Sequence, residues 1–259
     1  MLLRNKVVVV AGVGDGVGRS LSLRAAAEGA RVVLVGRTSA RLQAIAAEVA
    51  TAGGEAKPVI CDMTSPADCR DLADQAVAAF GPIDGLAIVA YAPPDQRSLA
   101  ECDDEFTEWR RIVDFNIFAT LNVIKAVSAK MSSGGSIAIV NSMTSDLPWA
   151  RLGPYSASKA ALASFVRTLA LEFGPRRIRI NGMHAGGIAN AAAEAYLHVL
   201  AEREGRTVEE QRAINVSTYP LGYLPPPRQY ADALIYLLSD LSAAMTGQGM
   251  HVNGGHFMH

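Results

Sequence analysis

The chain has 259 residues, half of them hydrophobic and 19% charged, with a formal net charge of −1. That length lies at the upper end of what one hydrophobic core supports, and the apolar share excludes a largely disordered chain. A near-neutral balance gives no electrostatic ground for a nucleic-acid partner or an anionic membrane, so a small-molecule partner is expected.

The chain opens "MLLRNKVVVVAGVG", an apolar run too short for a secretory leader that leads straight into glycines. The strand "KVVVVAG" is followed by a helix from Ser20 to Glu28, the strand "RVVLVGR" and a helix from Ala40 to Ala52. Next come "AKPVICD", a helix from Pro66 to Phe80 and "GLAIVAY". A helix from Phe106 to Met131, the strand "SIAIVNS", a helix from Tyr155 to Phe173 and the strand "IRINGMHAG" continue the alternation. A helix from Gln229 to Ser239 and the strand "GMHVNGG" close it. β-branched runs alternating with Ala-rich helical stretches predict an α/β fold, a doubly wound parallel sheet in a single domain over residues 1–259. The early strands are almost wholly apolar, as strands buried on both faces should be. Residues 187–227 break the rhythm with a polar segment and the turn-rich "YPLGYLPPP"; connections of that kind are usually lids or binding loops, so a substrate-binding lid is expected, with a surface excursion of no role as the alternative.

No run approaches the roughly 18 apolar residues of a membrane span. Cys61, Cys69 and Cys102 form neither a CxxC pair nor a metal-ligand cluster. Reduced thiols, a cytoplasmic location and no bound metal are expected.

Directly after the first strand stands Gly12-Val13-Gly14-Asp15-Gly16-Val17-Gly18, and a helix follows. Glycines there permit a tight turn and close approach to a pyrophosphate, with helix-start N–H groups facing the anion. A strand–loop–helix setting of this kind points to a dinucleotide. The second strand ends in Gly36-Arg37, with a cation where an NAD site would carry a carboxylate for the ribose 2′-OH. NADP(H) is therefore favoured over NAD(H), and Arg19 can add a second charge. Asp15 pulls the other way, because a carboxylate repels a 2′-phosphate. Arg37 as a plain solvated turn residue remains the alternative.

In "PYSASKAALASF", Tyr155 and Lys159 are one helical turn apart and share a face. An ammonium beside the phenol, with an oxidised nicotinamide, favours the phenolate, which suits Tyr155 to proton transfer near neutral pH. Ser142 ends the strand "SIAIVNS", at the crevice outside the strand ends where a hydroxyl can hold a substrate oxygen. Asn116, amid apolar residues in "VDFNIFATLN", needs hydrogen-bond partners if buried; one expectation is a water leading to Lys159.

With these residues in place the chain resembles the short-chain dehydrogenase/reductase family, from about Lys6 to Gly255. Its loop is similar to that family's TGxxxGxG, with Ala11 in place of threonine, and Asp62 stands where the family's adenine-contacting aspartate does. Asn116, Ser142, Tyr155 and Lys159 match the catalytic tetrad, with the usual thirteen-residue step from Ser142 to Tyr155. The resemblance implies a Rossmann-type fold and a nicotinamide cofactor. It implies Tyr155 as acid/base, Ser142 orienting the substrate oxygen, Lys159 holding the nicotinamide ribose and lowering the tyrosine pKa, and Asn116 holding a relay water. Cofactor contacts are also implied at Met63, Ala90, Gly186 and Ile188. Family members commonly pair the helices at Phe106–Met131 and Tyr155–Phe173, so a homo-oligomer, tetramer or dimer, is expected.

Three segments depart from the pattern. Ile88-Val89-Ala90-Tyr91 replaces NNAG, so polar scaffolding is missing and Tyr91 is expected to intrude near the cofactor. Ala185-Gly186 replaces PG, and Asn190 takes the place of a threonine near the carboxamide. "DGLAIVAYAPPDQ" and "LSDLSAAMTGQGMHVNGG" look like the enoyl-thioester reductase branch, but that branch carries a tyrosine seven residues before the lysine, where Leu152 stands.

The expected substrate wall combines Tyr91, Ser142, Leu147, Trp149, Tyr155, His184 and Tyr196, mostly apolar and aromatic, which suits a ketone or secondary alcohol of low charge. For His184 a hydrogen-bonded role near the pocket is the alternative. Two rivals stay open: reduction of an enoyl thioester, and a non-catalytic dinucleotide-binding protein.

Overall fold

The computed structural model describes residues 1–258. Seven strands form one parallel sheet: β1 (Val7–Ala11), β2 (Arg31–Gly36), β3 (Glu55–Ile60), β4 (Ile83–Ile88), β5 (Met131–Ser142), β6 (Arg179–Ala185) and β7 (Gly249–Val252). Their order is β3-β2-β1-β4-β5-β6-β7, so the winding direction reverses between β1 and β4. That reversal opens a crevice beyond the carboxyl ends of the strands, where open α/β sheets bind ligands.

Period-two alternation explains why β1 needs no polar residue. Val7, Val9 and Ala11 point into one core layer while Val8 and Val10 point into the other, and all five are buried. The first layer is covered by α3 (Pro66–Phe80), α5 (Thr120–Ser128) and α6 (Gly153–Phe173), through residues such as Leu72, Val123 and Leu162. The second is covered by α1 (Val17–Ala27), α2 (Ser39–Thr51) and α9 (Pro227–Leu238), through Leu21, Ile45 and Leu234. Each fully buried Val, Leu or Ile contributes roughly 1.5–3 kcal/mol. The doubly wound single-sheet architecture expected from the alternation is the one found.

The differences are local. The helix expected over 106–131 is three pieces: α4 (Thr107–Val113), a π-helical turn (Asp114–Ala119) and α5, after which β5 already begins at Met131. Asn116 sits inside the π turn. Residues 187–227 carry two regular helices, α7 (Ala191–Glu204) and α8 (Val208–Ser217). Thr207 and Glu210 form a reciprocal cap at the start of α8. The two ends of this excursion lie together, because Ala189 N–H donates to the Pro225 carbonyl at 3.0 Å.

Candidate active site

The glycine loop leaves β1 at the reversal point. Gly12 has φ +102°, and a Cβ there would stand 2.3 Å from the Ala90 backbone nitrogen, so only glycine fits. At Gly18 a Cβ would meet the Gly12 carbonyl at 2.5 Å, which lets α1 pack tightly under the loop. At Gly14, by contrast, a Cβ would find nothing within 4 Å, so this face of the loop is open. The N-cap of α1 is Gly16, which offers no side-chain cap, and the first turn carries no acidic residue. An open, uncapped, glycine-lined helix start fits a pyrophosphate.

On the adenine side, the Asp62 carboxylate accepts from the Thr64 N–H at 2.9 Å and the Thr64 hydroxyl at 2.8 Å. These bonds, with Arg37 nearby, hold its pKa below the usual carboxylate range. Exposed Arg37 and Asp62 line a broad groove together with Arg110 and Phe115. Met63 is buried beside it, and its carbonyl accepts from Asn122 Nδ2 at 3.2 Å. Two charges differ from the sequence reading. Arg19, expected to supply a second cation, is bound through its guanidinium to Glu48. Asp15, expected to repel a 2′-phosphate, has Arg41 at 3.3 Å, a partner the sequence reading missed.

The catalytic candidates converge. Gly153 and Pro154 open α6 and place Tyr155 in its first turn, with Lys159 one turn on. Lys159 Nζ lies 5.6 Å from the Tyr155 ring centroid and 5.9 Å from that of Tyr91. It donates to the Val140 carbonyl at 3.1 Å, and burial pulls its pKa down to about 8. Burial pushes the Tyr155 phenol above its ordinary value, while the facing Ser142 hydroxyl pulls it back. The lowering expected of the phenol invokes an oxidised nicotinamide beside the ammonium; within the protein alone, desolvation wins over its polar neighbours. Ser142 Oγ accepts from the Thr144 N–H at 3.2 Å and the Thr144 hydroxyl at 2.9 Å, so its lone pairs are oriented.

Asn116 has the hydrogen-bond partners that its burial demands. Its Oδ1 accepts from the Ala92 N–H at 2.7 Å and its Nδ2 donates to Ser158 Oγ at 2.9 Å. The amide thus fastens the segment after β4 to α6, which replaces part of the scaffolding absent from Ile88-Val89-Ala90-Tyr91. Tyr91 is half-exposed, its ring edge-on to Tyr155 with centroids 6.2 Å apart, so it walls the cleft without stacking over the phenol.

On the opposite wall, Gly186 passes so close to β7 that a Cβ would meet Asn253 at 2.8 Å. Gly187 is gripped from both sides, its N–H donating to the Tyr219 hydroxyl at 3.1 Å and its carbonyl accepting from the Tyr230 hydroxyl at 2.9 Å. Ile188 packs against the second core layer. Asn190 caps α7, its Oδ1 accepting from the Ala193 N–H at 2.9 Å, and its Nδ2 lies 4.0 Å from where a Gly16 Cβ would be. Trp149 is exposed and packs on His256, with centroids 5.5 Å apart, next to Tyr219. Leu147 follows Asp146 in the same loop, and Tyr196 is exposed on α7.

His184 takes the hydrogen-bonded role that stood as the alternative to a substrate contact. It is buried with its Nδ1 3.0 Å from Asp146 Oδ2 and 3.0 Å from Ser145 Oγ, its ring against that of His251. Burial works to raise the Asp146 carboxyl, but Ser145, His184 and His251 together take it below its ordinary value. Sequence reading did not find this group, because its members come from a loop and two separate strands.

Comparison with known proteins bears on this geometry. Residues 12–256 match the family profile described as "Enoyl-(Acyl carrier protein) reductase". The chain is 31% identical to "Short-chain reductase protein NovJ" of Streptomyces niveus, over 97% of this chain and 94% of that protein. It is 33% identical to "Dehydrogenase/reductase SDR family member 4" of Bos taurus, over 99% of this chain and 89% of that protein. A solved short-chain type dehydrogenase/reductase from Mycobacterium marinum superposes with a TM-score of 0.87 at 27% identity, covering 99% of this chain and 97% of the other.

Proposed function

Since the chain belongs to the short-chain dehydrogenase/reductase family of oxidoreductases, we propose that it transfers a hydride between NADP(H) and a ketone or secondary alcohol, with Tyr155 moving the proton. The observation that carries this reading is the convergence of the Tyr155 phenol on the Ser142 hydroxyl, with buried Lys159 one turn away on the same helix.

The bound nicotinamide supplies the hydride-accepting or hydride-donating carbon. The chain's own residues do the rest. Ser142, fixed by Thr144, presents a hydroxyl to the substrate oxygen. Tyr155 stands beside it to give or take that oxygen's proton, as general acid in reduction and general base in oxidation. The Lys159 ammonium favours the phenolate and, being buried, needs little rearrangement to hold a ribose hydroxyl. Asn116 acts on position, holding Ala92 and Ser158. The glycine loop takes the pyrophosphate and Asp62 the adenine end.

Support for NADP(H) over NAD(H) is electrostatic. Arg37 follows β2 where an NAD site carries an acid, and Arg41 offsets the one opposing carboxylate, Asp15. Residues 187–227 serve as the lid, pivoting near the double clamp on Gly187. Apolar Phe118 and Leu171, 58% and 80% exposed on the long helical segments, support a homo-oligomer. Among the described residues no helix is long and apolar enough to cross a membrane, and the three free cysteines accord with a cytoplasmic location.

The description of the matching family profile favours a second reading, reduction of an enoyl thioester. Leu152 argues against it, because an apolar side chain cannot serve as the proton donor in the position where that branch carries its tyrosine. One assay separates the readings: oxidation of NADPH and of NADH followed with a panel of ketones, quinones and enoyl thioesters. The proposal expects NADPH-dependent ketone reduction; turnover confined to enoyl thioesters would replace it with the second reading, and no turnover at all would leave a dinucleotide-binding protein.

A further inference from the structure

Behind the catalytic loop, Asp146, His184 and His251 bring one ligand atom each within 4.8 Å of one another. Asp146 leaves the loop after β5, while His184 and His251 face each other across the β6–β7 pair, in register as direct neighbours. Asp146 Oδ2 lies 3.0 Å from His184 Nδ1 and 3.9 Å from His251 Nε2. The three groups border a cavity of about 250 Å³ between α6 and the two strands.

The pocket around the imidazole is shaped at the backbone. A Cβ at Gly249 would stand 2.7 Å from His184 Nε2, and one at Gly182 would stand 3.6 Å from it. Two glycines in adjacent strands therefore leave the space that the His184 ring fills. Ser145 Oγ lies 2.8 Å from Asp146 Oδ2 and 3.0 Å from His184 Nδ1, and it donates to the Ser142 carbonyl at 2.7 Å. A neighbour of this kind orients ligands from the second layer.

We propose that Asp146, His184 and His251 form a binding site for a divalent transition-metal ion, best matched by Zn²⁺, with its open position facing the cavity. Two imidazoles and one carboxylate are the donor set of mononuclear zinc sites that keep a water ligand. Magnesium and calcium prefer all-oxygen ligands and are poorly served here. Zinc holds nitrogen and oxygen donors at about 2.0–2.2 Å, which puts tetrahedral donors about 3.3–3.6 Å apart, so the Asp146–His184 pair must open slightly and His251 must close in, within reach of small side-chain rotations. The ion would tie the loop from Ser142 to Asp146 to the β6–β7 pair. Its role is then to stiffen the base of the Ser142 loop, and hydride transfer does not pass through it.

The test uses the full chain, stripped with chelator and titrated with ZnCl₂, CoCl₂ or MgCl₂ alone by calorimetry and visible absorption. Asp146→Asn and His251→Ala remove donors at the rim of the cluster, and His198→Ala, at an exposed position of α7, is the control. The expected result is one Zn²⁺ per chain, weak or absent Mg²⁺ binding, and cobalt absorption of a four- or five-coordinate site. Affinity should fall at least about tenfold in Asp146→Asn and His251→Ala and stay unchanged in His198→Ala. Folding of each variant is checked by circular dichroism. No stoichiometric zinc uptake, uptake unaltered in both folded cluster variants, or uptake removed by His198→Ala would overturn the proposal.

Discussion

Lys159 Nζ sits 5.6 Å from the centre of the Tyr155 ring, buried, with a hydrogen bond of 3.1 Å to the Val140 carbonyl of the neighbouring strand. A cation so placed is costly to the unliganded fold and valuable to a ligand that brings hydroxyls and to a phenol that must ionise. The site's organisation follows from that arrangement.

The first consequence is a pH dependence of stability. Lys159 has its pKa depressed by burial to about 8, against an ordinary value of 10.5. Between those two values the unfolded chain binds more protons than the folded one, so stability rises with pH across that window and is flat below it. The difference in urea-unfolding free energy between the unliganded wild type and Lys159→Met should move in the wild type's favour by about 3 kcal/mol from pH 8 to 10.5. A constant difference across that range would show that the lysine is not desolvated.

Asn116 is expected to act on stability and alignment together. Its amide bonds the Ala92 N–H and Ser158, both buried around it. Asn116→Ala leaves the Ala92 N–H without that acceptor, which costs about 1–3 kcal/mol in denaturant unfolding. Turnover should fall in the same variant even at temperatures where it is fully folded.

Arg37 sets cofactor choice on this account. A charge-assisted bond to a 2′-phosphate is worth about 1.5–3 kcal/mol, so Arg37→Ser should raise the KM for NADPH by roughly 10–100-fold and leave that for NADH nearly unchanged. Equal effects on both cofactors would assign Arg37 to general surface charge.

Much of this was legible in the residue order. Strands such as β1 are apolar on both faces because helices cover both, and that pattern is visible in "KVVVVAG" before any coordinates are known. The glycine loop and the Tyr155–Lys159 pair are local, so spacing alone brings them together. The π turn around Asn116 was not legible, because "VDFNIFATLN" has ordinary helical composition and the change of hydrogen-bond step depends on packing against Ala92 and α6. The Asp15–Arg41 pair and the Asp146–His184–His251 cluster were hidden for another reason. Their members meet only once separate strands and loops are folded against one another. The residue order left His184 open between a substrate contact and a hydrogen-bonded role, and strand register turns it to Asp146.

The central claim is that the Tyr155 phenol moves the proton. Steady-state turnover of Tyr155→Phe on the best ketone found for the wild type, measured alongside NADPH binding by fluorescence titration, tests it most directly. The account predicts cofactor affinity within about twofold of wild type and kcat reduced by about 10²-fold or more. A phenylalanine variant that turns over at near the wild-type rate would contradict it.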